Sequence, residues 1–435
     1  MRQRSHIRVS GSDMGAILLL PAQLFIWSGR FARMVAGLWH PPPPIAPDVT
    51  LMPGYYAPLL ERLGLPDEPP LPLERFEQRV PREAEAVTRI ARLAARAVVA
   101  GYCAARQADV SARALRDQHA KQHGCLTARF VVTKDLPPEL ETPIFRPGTC
   151  YRAVLRFSHA QGRPQSDKRA DGRGMAIKLL DVEGTSLLSG IIGDEGQPAS
   201  RGEQDFLLTN FPVFFCQGAA DYARFISIVT PPATGWWARL SMGVRFLGFF
   251  AIRPRQAWIF ARTALQRVRS PLLVTYHSMT PYLFGAQRVV RYVAAPAEAL
   301  PAPLARQWRG SRAWSFLRRA MAGELDEERT LATEGHAAFR FSILMQETPK
   351  PEDVEDASRY WRGPGVKEIP LARIEIPPQD FDTEESHLRG ENLSFNPWNS
   401  LPEHRPLGSL NRMRLAVYLA SARTRHRLNL SRRAP

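Results

Sequence analysis

Short apolar runs of period two, broken by Gly, Pro and Asp, dominate the middle of the chain. Residues 126–136 (LTARFVVTKDL), 150–160 (CYRAVLRFSHA), 174–182 (GMAIKLLDV) and 205–215 (DFLLTNFPVFF) read as antiparallel strands of a barrel or sandwich. Strand texture returns over residues 271–285, 287–296 and 336–347, and residues 371–382 predict the last strand. The period changes at three places. From Arg82 onward Val87, Ile90, Ala94, Ala97 and Val98 fall on one helical face, with Pro81 near the start. Residues 218–270 read as helical, and residues 410–428 form a run free of Pro and Gly that predicts a final helix. No internal repeat is present. The sum is an α+β chain: a large antiparallel barrel with helices before, inside and after it.

The first part of the chain has a different texture. Residues 41–72 hold eleven prolines. This is a stiff, partly polyproline II connector, or an arm wrapped around a partner subunit in a homo-oligomer. Ahead of it, Arg2, Arg4 and Arg8 precede an apolar stretch over residues 15–27, interrupted by Pro21. That stretch is too short to span a bilayer. With the following SGRFARMVAGLW it predicts a surface-seeking segment on a cytoplasmic protein. The expected organisation is an arm and connector over residues 1–75 and a core over 76–435.

Composition narrows the function classes. With 44% hydrophobic and 23% charged residues in 435, global disorder, collagen and coiled coil are excluded. The formal net charge is +16, and only six of the 58 basic residues are lysine. An arginine excess of this kind is either a solvated basic surface or a means of pairing carboxylates and phosphates with the guanidinium fork. No zinc-finger, basic-zipper or RNP pattern accompanies it, so nucleic acid is not expected as a partner. Cys103, Cys125, Cys150 and Cys216 form no C-x-x-C pair, which argues against a structural zinc site. His119 and His123 are four apart, but Ala120 stands where a zincin needs its glutamate base. Walker A, Rossmann and G-x-S-x-G patterns are all missing.

What remains is a series of short motifs. Arg116-Asp117-Gln118-His119-Ala120 precedes the first strand run. Arg156-Phe157-Ser158 ends a strand, and Arg173-Gly174-Met175-Ala176-Ile177-Lys178 opens the next. Thr209-Asn210-Phe211-Pro212-Val213-Phe214-Phe215 ends another, and Arg414, Tyr418, Arg423 and Arg425 lie on the final helix. In this order the motifs resemble those of the haem catalases: R-x-x-H-A, V-R-F-S, R-G-x-A-x-K, N-N-T-P-x-F-F and R-x-x-x-Y followed by two arginines. The resemblance spans roughly residues 110–427. Segments such as TYHSMTPYLFG and LSFNPWNSLPEHRPLG look like the small catalase-related proteins that include the allene oxide synthases.

The resemblance implies a catalase-like barrel and a b-type haem, with Tyr418 as the iron ligand on a C-terminal helix. A free phenol titrates near 10, so a phenolate ligand needs a cationic neighbour; Arg414, one turn earlier, is on the same face. His119 would be the acid–base on the opposite haem face, with Ser158 on its other ring nitrogen. Arg116, Arg156 and Arg425 would pair the propionates. Phe214, Phe215 and Tyr222 would line the haem edge. Two departures stand out: Thr209 occupies the place of the peroxide-binding Asn, with Asn210 one residue on, and Gln118 replaces an apolar residue. The chain runs 17 residues past Tyr418 (435 − 418), so no NADPH site is expected. The implied activity is decomposition of hydrogen peroxide or conversion of lipid hydroperoxides; the alternative is a haem-binding sensor or store without turnover.

Overall fold

Alternation of large apolar and polar side chains along the strands builds the core. The computed structural model describes residues 73–192, 202–229, 236–297, 314–325 and 337–430. The arm, connector and surface-seeking segment expected within residues 1–72 lie outside them. Among the described residues nine strands form one antiparallel sheet: β1 (Gln122–Val132), β2 (Cys150–His159), β3 (Arg173–Leu180), β4 (Glu203–Thr209), β5 (Tyr276–His277), β6 (Tyr282–Phe284), β7 (Arg288–Pro296), β8 (Ala337–Gln346) and β9 (Val366–Ile376). Their order is β5-β4-β3-β2-β1-β9-β8-β7-β6, and a further β5–β7 pairing closes eight of them into a barrel. β6 is a hairpin added to β7.

The register sets rows of apolar side chains across the barrel. Leu126 lies opposite Leu155, Leu155 opposite Ile177, and Ile177 opposite Phe206. Phe130, Phe206, Phe341 and Tyr292 meet in the interior, with Phe206 and Tyr292 edge-on at 4.8 Å between ring centroids. Each such ring contributes roughly 1.5–3 kcal/mol on full burial. Closure at β5 is narrow: β4 meets it only at Thr209–His277, and further along the β4 edge Asp205 N–H donates to the Asn399 carbonyl (2.8 Å).

The expected strand over residues 271–285 is instead a 3-10 turn (Pro271–Leu273) and two fragments of two and three residues. Proline removes ladder donors at 271 and 281. Between the fragments, Ser278 and Thr280 each donate a hydroxyl to the other's backbone carbonyl, around Met279 at φ 60°. Residues 218–270 divide into α3 (Ala219–Val229), α4 (Trp236–Ala251) and α5 (Pro254–Ala264); α1 (Glu83–Ala108) and α2 (Leu187–Ile192) precede them. Helices α6 (Phe316–Glu324), α7 (Pro351–Glu355) and α8 (Glu384–Asn392) follow.

The final helix, α9 (Ser409–Leu430), packs on α1 through alanines: Ala91 and Ala95 meet Ala416 and Ala420. Small side chains let the two axes approach closely. The start of α9 is fixed by Arg412, which is 3% exposed in its side chain and reaches Glu77, Glu83 (2.6 Å) and Glu355 (3.1 Å).

Candidate functional site

The two ends of the expected site are built by different parts of the chain. On α9, Arg414 Nη2–H donates to the Tyr418 hydroxyl oxygen at 3.3 Å, and its carbon lies 5.3 Å from the Tyr418 ring centroid. Nη1–H of the same guanidinium donates to Thr280 Oγ1 (3.3 Å), between β5 and β6, and to Asn411 Oδ1 (3.1 Å), one turn earlier on α9. Burial pulls the Arg414 guanidinium down, but Tyr418 and Tyr282 outweigh this and its pKa ends above the usual value.

His119 lies in the loop before β1, not on a helix, so it does not share a helical face with His123. Its backbone is left-handed at φ 57°, an uncommon conformation for a residue with a Cβ. Several contacts enforce it. His119 N–H donates to the Ala160 carbonyl (3.1 Å), Ala120 N–H donates to the Gln161 carbonyl (3.2 Å), and Arg156 Nη2–H donates to the His119 carbonyl (3.1 Å). The imidazole Nδ1 is 3.0 Å from Ser158 Oγ on β2. It covers Gly174 on β3, where an added Cβ would come within 2.5 Å of His119 Nδ1. Only glycine leaves room for this ring. Strain held by so many contacts is characteristic of functional positions.

Burial, then Arg156, pushes the His119 imidazole down to about 4. The ring is therefore neutral at ordinary pH. With Nδ1 engaged by Ser158, proton exchange falls to Nε2. Any turnover that needs the neutral ring is expected to be flat from about pH 6 upward and to fall as pH drops through about 4. A pH–rate profile with its acid limb near 6.5, the ordinary histidine value, would contradict this.

Arg116, Arg156 and Arg425 do come together, around a carboxylate the sequence reading did not single out. Glu391 on α8 accepts Arg116 Nη1–H (3.0 Å) and Arg156 Nη2–H (3.0 Å), and its backbone carbonyl accepts Arg425. Arg116 and Arg425 also donate to the Leu393 carbonyl. Burial alone would raise the Glu391 pKa; Arg116, Arg156 and Arg425 overrule it and bring the group to about 2. One carboxylate cannot balance three guanidiniums. Burial and mutual repulsion depress Arg116, and burial depresses Arg425 to about 10 despite Glu391. Buried Arg425 Nε has no hydrogen-bond partner. The cluster retains a surplus of two positive charges. Asp382-Thr383 followed by Glu384 and Glu385 is the N-terminal signature by which α8 was open to detection; Thr383 Oγ1 accepts the Ser386 N–H at 3.2 Å.

Thr209 and Asn210 separate, as adjacent strand residues must. Thr209 pairs with Gly174, the residue under His119. Asn210 faces elsewhere: Oδ1 accepts the Arg173 N–H (2.7 Å) and Nδ2–H donates to Gln266 (2.8 Å). The structure gives Asn210 a role in holding the β3 entry, with both ends of its amide engaged by the protein. Phe214, Phe215 and Tyr222 are in mutual ring contact, with Phe214 and Phe215 at 4.7 Å. Phe214 and Tyr222 pack beside Val417 on α9, whereas Phe215 turns into the aromatic pack of α3 and α5. Burial first, then Asp117, Cys216 and Tyr418, raises the Tyr222 phenol. Asp117 is a further residue not singled out: it accepts a 2.6 Å hydrogen bond from Ser421 on α9, tying the His119 loop to the Tyr418 helix.

A second buried cluster lies beside the first. His123, His159 and Asp167 bring potential ligand atoms within 4.8 Å of one another. Lys121 Nζ, 2.6 Å from Asp167, already supplies the positive charge a metal would bring, and Asp171 holds His159 Nδ1 at 2.9 Å. This is an internal ion network that anchors β1 to β2.

These elements define a catalase-like fold: a closed antiparallel barrel, with the Tyr418 helix packed outside it. Solved structures with the same architecture are a fungal catalase (17% identity, TM-score 0.53, covering 74% of this chain and 62% of that one) and a bacterial catalase (15%, 0.50, 76% and 61%). Catalase A from Saccharomyces cerevisiae is a third (16%, 0.51, 75% and 64%). The chain thus spans under two thirds of the length of each. No protein-family profile and no curated protein matches the sequence.

Proposed function

We propose that this protein is a haem-dependent peroxide-processing enzyme of the small catalase-related kind, with lipid or other organic hydroperoxides as competitive substrates. The observation that carries the reading is the joint presence of an arginine-bonded tyrosine on α9 and a strained, serine-held histidine above Gly174. The arginine cluster fits the cofactor: its surplus of two positive charges matches the two propionates of a b-type haem, and the unpartnered Arg425 Nε is a donor in waiting.

Tyr418 would ligate the iron, and Arg414 would balance the phenolate charge. Arg116, Arg156 and Arg425 would bind the propionates. Bound haem supplies a ferric centre able to accept a peroxide oxygen and cleave the O–O bond. The chain's own contribution is proton handling. Neutral His119 would accept a peroxide proton at Nε2 and return it to the departing oxygen, which would leave as water or alcohol. Ser158 keeps the ring fixed during the transfer.

Thr209 is the basis for the substrate assignment. Its single hydroxyl donates weakly to the Phe211 carbonyl at 3.4 Å, and Asn210 is committed elsewhere. Losing one preorganised donor costs ~10²–10³ in rate by analogy with oxyanion sites. Hydrogen peroxide depends on such a donor for orientation. An organic hydroperoxide is positioned by its apolar tail. The expected result is weak oxygen evolution from hydrogen peroxide and a kcat/KM for a fatty-acid hydroperoxide that equals or exceeds it, on one haem-loaded sample. A hydrogen peroxide value near the diffusional ceiling of ~10⁸ M⁻¹s⁻¹, without organic turnover, would leave an ordinary catalase. Full haem loading with neither activity would favour the sensor or store.

A further inference from the structure

Helix α4 is apolar on both sides. Its inner face, Phe246, Phe249 and Phe250, is buried against Phe225 of α3, and Phe246 and Phe250 also meet Phe260 of α5. Its outer face presents Trp237 (67% exposed), Leu240 (48%), Val244 (63%) and Leu247 (60%) at helical spacing. Ile252 and, on α5, Trp258 follow in the chain and are also exposed. Of the nine exposed large apolar side chains among the described residues, six lie between 237 and 258. Concentration of this kind marks an interaction surface, whereas scattered exposure does not.

The charge around the strip identifies its partner. From Tyr222 to Ala297 the sequence has ten arginines and no aspartate, glutamate or lysine. Arg245, Arg255, Arg262, Arg267 and Arg269 are exposed on or just after α4 and α5. Arg262 lies over the Trp258 ring at 5.6 Å, and Arg253 over Phe249 at 4.5 Å, so guanidiniums sit among the apolar groups. A second copy of this face would bring exposed arginine against exposed arginine, because the carboxylates beside it, Asp221 (3.7 Å from Arg253) and Asp353 (2.8 Å from Arg359), are already paired within the chain. A surface that is anionic on top and apolar beneath satisfies both features at once.

We infer that α4 and the start of α5 form a membrane-docking face that lies in the headgroup region of an anionic bilayer. The 16-residue helix is about 24 Å long at 1.5 Å per residue, short of the ~30 Å hydrocarbon core. No helix among the described residues is long and apolar enough to cross a membrane. The face lies flat; it does not span. This assignment is independent of the cofactor.

The test is flotation of the full-length protein with vesicles of phosphatidylcholine alone or mixed with phosphatidylglycerol, at low and high salt. Binding is expected only with the anionic vesicles and should weaken with salt. The combined variant Leu240→Glu, Val244→Glu, Leu247→Glu should lower the bound fraction by about tenfold. Undiminished binding by that variant would assign the membrane contact to another segment, such as residues 1–72, and overturn the proposal. So would a wild type that ignores vesicles, or one that is an oligomer which the variant dissolves to monomers. A measurement that needs no destabilising change is quenching of tryptophan fluorescence by brominated anionic lipid. Wild type should be quenched and the Trp237→Phe, Trp258→Phe protein much less so. Equal quenching of the two proteins would also overturn it.

Discussion

Replacing His119 by alanine is expected to lower peroxide turnover by ~10²–10⁴-fold while leaving the haem content and its absorption spectrum in place. The imidazole is held by Ser158 Oγ and the His159 backbone, so its removal costs hydrogen bonds at the barrel wall and no part of the apolar core. The remaining groups near it cannot substitute. Arg156 is a cation committed to Glu391 and to the His119 carbonyl, and Asp117 is bonded to Ser421. His123→Ala is the informative comparison. That ring is fully buried against His159 at 4.7 Å and belongs to the Lys121–Asp167 network. Its loss should lower the melting temperature and spare the rate per haem. Equal rate losses in the two variants would argue for a paired-histidine site and against the single acid–base.

Tyr418→Phe should give the largest spectroscopic effect. The substitution keeps the ring, its packing on α9 and the cation–π contact with Arg414. It deletes only the oxygen. Arg414 retains Thr280 and Asn411 as acceptors, so the helix has no reason to unfold. His426 cannot take over, because it lies eight residues further along α9, about 12 Å of axial rise from the phenol. The purified variant is expected to retain little haem, or to bind it without the ferric-phenolate absorption, at wild-type helix content by circular dichroism. An unchanged absorption spectrum at full haem loading would remove Tyr418 from the ligand role, whatever the activity.

The barrel was legible because period-two alternation is local: Phe339, Phe341 and Ile343 face inward, and Arg340 between them is exposed. The final helix was legible for its lack of breakers. Helix α8 announces only its start, through Thr383 and the acidic first turn; its buried residues are Gly390 and Glu391, which carry no apolar stripe. A helix buried through an ion cluster gives no hydrophobic period to read. The strand expected over residues 271–285 failed for the opposite reason. Its apolar texture is real, but Pro271, Pro281 and the Ser278–Thr280 turn deny it ladder hydrogen bonds. Within the site, the arginine positions followed from motif order, whereas their shared partner did not. Arg116 and Glu391 are 275 residues apart, and no local signal links them. The same holds for Asp117 and Ser421. The separation of Thr209 from Asn210 was legible, since adjacent strand residues face opposite ways.

The Arg412 clamp has a consequence for the tyrosine six positions after it. Six residues of helix are about 9 Å of axial rise, so a guanidinium far from the phenol sets where that phenol stands. Glu77 precedes α1, Glu83 begins it, and Glu355 ends α7, so three segments from separate parts of the chain grip one side chain. A slide or a turn of α9 must break all of these bonds together. The helix thus behaves as a bolt with its lock at one end, and the Tyr418 oxygen inherits from it a fixed height and bearing, to which the Arg414–Thr280 bond adds a second hold.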